Sequence, residues 1–391
     1  MLINDCITKL LNLPNVLVQK VDEFEKFFEI NIETERSEVV CPCCKAKTSK
    51  IHDYRTQRIK DIPFQKKYVY IILRKRRYVC DICGKRFNEK YSFLPKYYHM
   101  TSKMYMSLID DLRKNKSMKS IAEEHNVSSN TIVRAMDIVN CSPPSKLPDV
   151  LSIDEFKGNA DGEKYQCILT NPLDKKVFDI LPTRLKSDLI HYFSRFNGRK
   201  EVKYFVMDMW QPYKEIAYLF PNAQIVVDKF HYIRQVYWAL ENTRKRIQKG
   251  LKKDNRLSFK HCKKLLMAEF NTLSDATKNK VLDMLDINED LNTVWQLKEI
   301  FIEVKAEKNP SEAKAKLRNW IELAQEAKIP ELKPCVTAFK NWFNEILNSF
   351  RCPYTNGYTE GINNKIKVLK RNAYGFQNFA RMKKRILHTC A

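Results

Sequence analysis

The sequence predicts a multidomain α+β chain: a small cysteine-bearing β module, a helical hairpin, and a larger α/β domain interrupted by a long helical insertion. Three observations carry this expectation. Two Cys-x-x-Cys pairs, Cys41-Pro-Cys-Cys44 and Cys80-Asp-Ile-Cys83, flank a run of strand formers. Three prolines in Cys141-Ser-Pro-Pro-Ser-Lys-Leu-Pro148 forbid a helix and favour an extended spacer, so a domain boundary fits there. From residue 149 onward, short apolar runs alternate with helical patterns.

The bulk numbers set limits. A chain of 391 residues has room for two or three domains, and a 44% hydrophobic fraction allows a sizeable core. No stretch reaches the roughly 18 consecutive apolar residues of a membrane span. The N-terminus lacks the basic-then-apolar layout of a signal peptide, so the expectation is a soluble intracellular protein. Seventy Lys and Arg against 46 Asp and Glu leave a net charge of +24. Such an excess points to a polyanion, because neutralised phosphates release counterions. A Lys-rich solvated surface is the plainer alternative.

Residues 1–37 give an apolar start and a strand-like run from Val21 to Ile32, broken by Glu33–Glu38, with no chemistry. Residues 38–95 form the cysteine module. Five of twelve cysteines fall within 43 residues, which in the absence of a secretory signal favours metal over disulfides. Two Cys-x-x-Cys turns bring four thiolates together in a closed tetrahedral zinc site, with Zn–S bonds of about 2.3 Å. Cys41, Cys44, Cys80 and Cys83 fit best; Cys43 is surplus unless it replaces a partner, and His52 is a weaker rival. The 35 residues between Cys44 and Cys80 require a hairpin, making this a zinc-ribbon-like domain with structural Zn2+. Arg74-Lys-Arg-Arg77 is either a phosphate contact or a solvated face.

Residues 96–142 read as helices. Met104, Leu108, Ile109 and Leu112 recur at helical spacing. Ala122, Val127, Ile132 and Val133 have the small and apolar character a helix-turn-helix needs, Asn126 suits its turn, and Ser128 or Ser129 suits the cap of its second helix. In that motif the second helix enters the major groove N-terminus first, so Ser129, Asn130 and Arg134 would face DNA. An ordinary helical hairpin shares the same pattern.

A linker over 143–149 leads to the α/β domain, 150–231 with 350–391. Val150–Phe156, Tyr165–Thr170 and Lys176–Pro182 read as three strands, Ser187–Phe196 as a helix, and Lys203–Asp208 as a fourth strand. Tyr213–Leu219 is helical and Gln224–Asp228 is a fifth strand. This order matches a ribonuclease-H-like fold, although order alone is weak support. Residues 232–349 are long, charged and helical, with apolar faces at Trp295, Leu297, Ile300, Phe301 and Val304, and at Leu317, Trp320, Ile321 and Leu323.

Three carboxylates look placed to meet. Asp154 lies inside an apolar strand, where an unpaired charge is costly. Asp208 ends the fourth strand, and Glu360 sits early in the helix Thr359–Lys365. Glu155 faces the other side of its strand, as a surface or ion-pair residue. Asp174 and Asp179 compete with Asp208. Asn364, Lys367 and Arg371 follow Glu360 at four, seven and eleven residues, placing them on its helical face as a row that would track a DNA backbone.

Together these residues resemble an insertion-sequence transposase of the ISL-three family, over roughly residues 38–388. The resemblance rests on the two cysteine pairs, the helix-turn-helix pattern and four stretches: Ile153-Asp-Glu-Phe156, Met207-Asp-Met-Trp210, Pro221–His231 and Thr355–Lys367. It implies a DDE triad of Asp154, Asp208 and Glu360, and an Asp-x-x-His element of Asp228 and His231. The family usually carries glycine where this chain has Lys45. Two Mg2+ (or Mn2+) ions held by the triad would serve in-line displacement at phosphorus. The partner would be double-stranded DNA, both transposon ends and target, engaged by a homodimer. The implied location is the bacterial cytoplasm, at the nucleoid. The alternatives are a zinc and helix-turn-helix regulator with an inactive domain, and a ribonuclease-H-like nuclease acting on RNA hybrids.

Overall fold

The computed structural model describes residues 2–251, 256, 259 and 263–390. They form two compact units: Met1–Cys141 with Lys367–Cys390, and Ser142–Ile366. Among the described residues, no helix is long and apolar enough to cross a membrane.

The first unit begins with α1 (Leu2–Leu11), followed by β1 (Val16–Glu23) and β2 (Phe27–Thr34). The single run expected over Val21–Ile32 is therefore an antiparallel pair, closed where Phe24 N donates to Phe27 O at 2.9 Å. Short β3 (Val39–Val40) and β4 (Lys47–Thr48) carry the first cysteine turn. Long β5 (Ile51–Phe64) and β6 (Lys67–Val79) supply the hairpin between the cysteine pairs, and β7 (Arg86–Asn88) pairs with β6. The hairpin tip uses Gln65 and Lys66 at φ 48° and 63°, the left-handed pair that matches strand twist in a two-residue turn. The sheet order is β1-β2-β6-β5, over a core that includes Ile30, Ile32, Ile59, Ile71 and Leu73. Neither expectation for Arg74–Arg77 describes Arg76. It is 2% exposed and donates to Thr34 Oγ1 (3.0 Å) and Thr34 O (2.6 Å), because β6 alternation turns it inward.

Three helices follow: α2 (Ser102–Asp111), α3 (Met118–Glu124) and α4 (Ser129–Ile138). Leu108, Leu112, Ile121, Ala122, Ile132, Ala135 and Met136 pack between them. Asn126 makes the turn at φ 49°, and Ser128 caps α4 by accepting from Thr131 N at 3.3 Å. Ser129, Asn130 and Arg134 are exposed on α4.

The second unit holds β8 (Val150–Ala160), β9 (Glu163–Asn171), β10 (Lys176–Leu181), α5 (Lys186–Ser194), β11 (Tyr204–Met207), α6 (Gln211–Ala217) and β12 (Gln224–Val227). Their sheet order is β10-β9-β8-β11-β12, with β8, β9 and β10 antiparallel and β11 parallel to both β8 and β12. Alternation sorts the side chains. Leu151, Ile153, Phe205, Met207 and Val227 enter the large core with Leu189 and Phe193 of α5 and Tyr213 of α6. Val150, Val206 and Val226 face the other way, toward Cys352.

The helix after β12, α7 (Lys229–Gly250), continues as the first helix of the insertion, so the expected start at 232 falls inside one element. The insertion adds α8 (Lys263–Met267), α9 (Asp275–Leu285), α10 (Glu289–Ala306), α11 (Pro310–Glu326), α12 (Lys333–Asn341) and α13 (Phe343–Arg351). Trp320 is fully buried and donates Nε1–H to Leu297 O at 2.7 Å. Trp295, Leu297, Phe301, Val304, Leu317 and Ile321 are buried as expected, while Leu323 is 36% exposed and Ala324 takes the inward position.

Two helices end the chain, α14 (Gly357–Asn372) and α15 (Phe379–Cys390). The sequence reading kept 350–391 together in the catalytic domain, but residues 367–390 belong to the first unit. There Arg385, 2% exposed, donates Nη2 to the carbonyls of Lys114 and Lys116, both at 2.9 Å. Arg381 makes a two-point pair with Asp137 of α4 at 3.1 and 3.0 Å, and His388 Nε2 reaches Ile109 O at 2.8 Å. Scattered single cationic residues carry no periodicity that would reveal this docking.

Candidate active site and metal centre

Period-two alternation and strand register build the acidic site. Tyr204 aligns with Val150 and Val206 with Ser152, so Asp208 continues the register to Asp154. Tyr204 aligns with Gln224 and Met207 with Val227, so Asp228 extends the same row. Three aspartates thus lie side by side across three parallel strands, Asp208 and Asp228 just past the carboxyl ends of β11 and β12 and Asp154 within the longer β8, near the edge at which open α/β sheets bind ligands. All three share the face of Ser152, Val206 and Val226, opposite the large core.

Each carboxylate has a different environment. Asp154 Oδ1 accepts from Glu155 N (2.7 Å) and Oδ2 from Asn363 Nδ2 (2.8 Å). Burial first, then the Asp208 charge, raise its pKa from 3.8 to about 7. Asp208 accepts from Asn356 Nδ2 at 3.0 Å and pairs with His231 Nε2 at 2.8 Å. Asp228 caps α7, with Oδ1 accepting from Phe230 N (2.7 Å) and Oδ2 from Asn356 N (2.9 Å). Backbone donors occupy both Asp228 carboxylate oxygens, and the His231 ring contacts Asp208 while only its backbone N–H reaches the Asp228 carbonyl, at 3.1 Å.

His231 is held from both sides. Burial works against its charged form and the hydrogen bond to Asp208 works for it, with a net rise in pKa above 6.5. Arg234 Nη2 meets Nδ1 at 3.2 Å. Arginine has only donors, so in the neutral imidazole Nδ1 accepts and the remaining proton sits on Nε2, facing Asp208.

Helix α14 covers the row. Asn356, Thr359 and Asn363 are buried. Thr359 Oγ1 lies 2.7 Å from Thr170 Oγ1 and 3.2 Å from Ser152 Oγ, and Ser152 also bonds Asn356 Oδ1. Glu360 is exposed, and its carboxylate has no hydrogen bond or ion pair among the described residues. At about 100° per residue it sits roughly 40° around the helix from Asn356. The structure thus brings Asp154 and Asp208 together, adds His231, Asn356 and Asn363, and leaves Glu360 at the rim. Asn364, Lys367 and Arg371 are also exposed.

The rival carboxylates lie elsewhere. Asp174 accepts from Asn171 Nδ2 in its own turn (2.7 Å), and Asp179 is 1% exposed and accepts from Tyr192 OH at 2.8 Å. Glu155 points to the opposite face, accepting from Arg184 Nη1 (2.6 Å) and Tyr213 OH (3.0 Å), the ion-pair role expected of it. Sequence reasoning missed Asn356 and Asn363. Their spacing of four before and three after Glu360 is a usable signal only once the buried face of α14 is known.

The cysteine centre is compact. The sulfurs of Cys41, Cys44, Cys80 and Cys83 lie within 4.8 Å of one another, the only group of three or more such ligand atoms this close among the described residues. Cys43 is exposed and His52 pairs with Asp53 at 2.8 Å, so neither joins it. The two turns are equivalent: Lys45 N donates to Cys41 O (3.1 Å) and Gly84 N to Cys80 O (3.0 Å). Lys45 at φ 61° and Gly84 at φ 67° share one left-handed conformation, so lysine occupies the glycine position without changing the turn. The backbone N–H of Cys44 leads in lowering the Cys41 thiol to about 7, which favours metal-binding thiolate. Four sulfur donors in a closed arrangement suit structural Zn2+.

Both regions of the chain are similar to known proteins. Residues 151–386 match the family model of ISL3-type DDE transposases, described as "Transposase". Residues 37–83 match the zinc-finger of transposases IS204/IS1001/IS1096/IS1165. The chain is 26% identical over 352 residues to the transposase for insertion sequence element IS1001 of Bordetella parapertussis, covering 87% of this chain and 86% of that protein. A 49-residue stretch is 49% identical to an ATP-dependent protease of Lactococcus lactis subsp. lactis, 12% of this chain and 16% of that protein. So short a stretch transfers no activity.

Proposed function

The chain belongs to the ISL3 transposase family and is a DNA transposase, and on that premise we propose that Asp154, Asp208 and Glu360 form its DDE catalytic site. The observation that carries the proposal is the register-aligned pair Asp154 and Asp208, with the Asp154 pKa raised to about 7. Two anions close together in a half-buried site disfavour the cation-free state, and their oxygens suit Mg2+ or Mn2+. Two such ions, when bound, would activate the attacking oxygen and stabilise the leaving one. The chain's own residues do the rest. Asn363 and Asn356 orient the two carboxylates, and His231 keeps a proton beside Asp208. Asp228 fixes the start of α7 against the loop before α14. Glu360 turns inward from the rim of α14 to complete the ligand set as DNA engages.

Water then attacks a phosphodiester at a terminal inverted repeat, releasing a 3′-hydroxyl that attacks target DNA; no covalent protein–DNA intermediate is needed. The sheet order supports a ribonuclease-H-like catalytic domain. The α3–α4 turn supports a helix-turn-helix that reads the repeat through Ser129, Asn130 and Arg134. Asn364, Lys367 and Arg371 follow the DNA backbone, and a homodimer holds two ends together. The zinc centre acts as scaffold.

The test is a Mg2+- or Mn2+-dependent cleavage assay on terminal-repeat duplex. Asp154→Asn and Glu360→Gln each abolish cleavage; wild-type activity in either variant sinks the proposal. The exposed position of Glu360 is the one observation favouring a DNA-binding regulator with an inactive domain. That reading predicts wild-type protein that binds the duplex and never cuts it.

A further inference from the structure

Phe230, Arg234 and Trp238 stand on α7 at four-residue intervals, on one helical face. Phe230 is 54% exposed and Trp238 is 49% exposed. The Arg234 guanidinium lies between their rings, 5.3 Å from the Phe230 centroid and 4.5 Å from that of Trp238. The ladder joins the acidic row directly, since Arg234 bonds His231 and His231 bonds Asp208. Arg234 Nε is buried and has no hydrogen-bond partner among the described residues. No acidic residue occurs from Lys229 to Leu240.

We propose that this ladder is a binding site for unpaired nucleotides, stacking the bases of the strand end that flanks the cut. Two flat rings exposed to water beside a cation suit nucleobase faces and phosphate together. Bases in an intact duplex are stacked on each other, so the rings select unpaired ones. Eight residues of helix span about 12 Å, room for a few nucleotides. Placing the cut at Asp154 and Asp208 is the reading proposed above, and the strand-end assignment rests on it.

The test uses the full-length protein, without divalent cations, and fluorescence anisotropy. The probes are a labelled single strand of about eight thymidines, within the usual span of such grooves, and a duplex of equal length. Phe230→Ala with Trp238→Ala weakens single-strand binding at least about tenfold and changes duplex binding less than about twofold, as stacking energies per base imply. Trp238→Tyr, which keeps a ring, stays within about threefold of wild type. Equal loss on both probes, unchanged single-strand binding, or Trp238→Tyr as weak as the double variant overturns the proposal. So does a change of oligomeric state with single-strand binding intact, which would make the ladder a contact between copies. The catalytic reading is checked apart from this, by Mg2+-dependent cleavage of terminal-repeat duplex: cleavage by Asp154→Asn would refute that reading and leave the single-strand binding result standing.

Discussion

Replacing Asp154 by Asn should stabilise the metal-free protein at alkaline pH while abolishing cleavage. The carboxyl's pKa rises from 3.8 to about 7, through burial first and then the charge of Asp208. The folded state therefore binds more protons than the unfolded state between these values. Stability falls as pH climbs from about 4 to about 7, and the deficit is complete above 7. At about 1.4 kcal/mol per pH unit the deficit approaches 4 kcal/mol, an upper bound for a partly solvated group. Asn keeps one oxygen for Glu155 N or Asn363, and losing the other acceptor costs about 1 kcal/mol. The net gain is about 2–3 kcal/mol, or roughly 5–10 °C in Tm for the second unit. Thermal unfolding is recorded at pH 6 and pH 8.5 in magnesium-free buffer without chelator, so that zinc stays in place. Wild type loses more Tm between the two pH values than the variant does, since both share the loss from His231 and only wild type carries that of Asp154; added Mg2+ restores wild type at pH 8.5. Parallel pH profiles for both proteins, or a variant less stable at pH 8.5, would refute the account of Asp154 as a buried, repelled charge.

Three further outcomes follow from particular contacts. Glu360→Gln leaves Tm unchanged within the error of a surface substitution, about 0.5 kcal/mol, because its carboxylate has no partner among the described residues, yet it eliminates cleavage; a stability loss without a rate loss reverses its assignment. Asn363→Ala removes the donor to Asp154 Oδ2 and lowers the cleavage rate about 10- to 100-fold with duplex binding intact, as single-turnover kinetics would show. Gly84→Ala costs about 1 kcal/mol through its left-handed backbone alone, since an added Cβ meets nothing within 4 Å, while Lys45→Gly gains a similar amount; midpoints of zinc release against a competing chelator rank the three proteins.

Much of the site is legible in the chain because its chemistry is local. Asp154 stands out as a charge in an apolar strand, and the four cysteines announce themselves by spacing. What is hidden depends on contacts between distant segments. The alignment of Asp154 with Asp208 and Asp228 follows from strand register, which no single segment encodes. Asn356 and Asn363 are ordinary polar helix residues until the covered face of α14 is known. The turn between β1 and β2 passes through Phe24 without glycine or proline, so two strands read as one run. Lys45 in a left-handed turn shows the opposite limit: the hydrogen-bonded knuckle decides the conformation there, against residue preference.

The return of residues 367–390 to the first unit has a consequence for how the protein is born. A ribosome releases Met1–Cys141 long before it makes Arg381, Arg385 and His388, the residues that tie α15 to Asp137, to the carbonyls of Lys114 and Lys116, and to Ile109. The helical module holding Ser129, Asn130 and Arg134 therefore stays short of its final packing until α15 has been made and has left the exit tunnel. A chain cut short by a frameshift or nonsense codon anywhere before α15 carries its zinc turns and its early helices, yet lacks the clasp that finishes them.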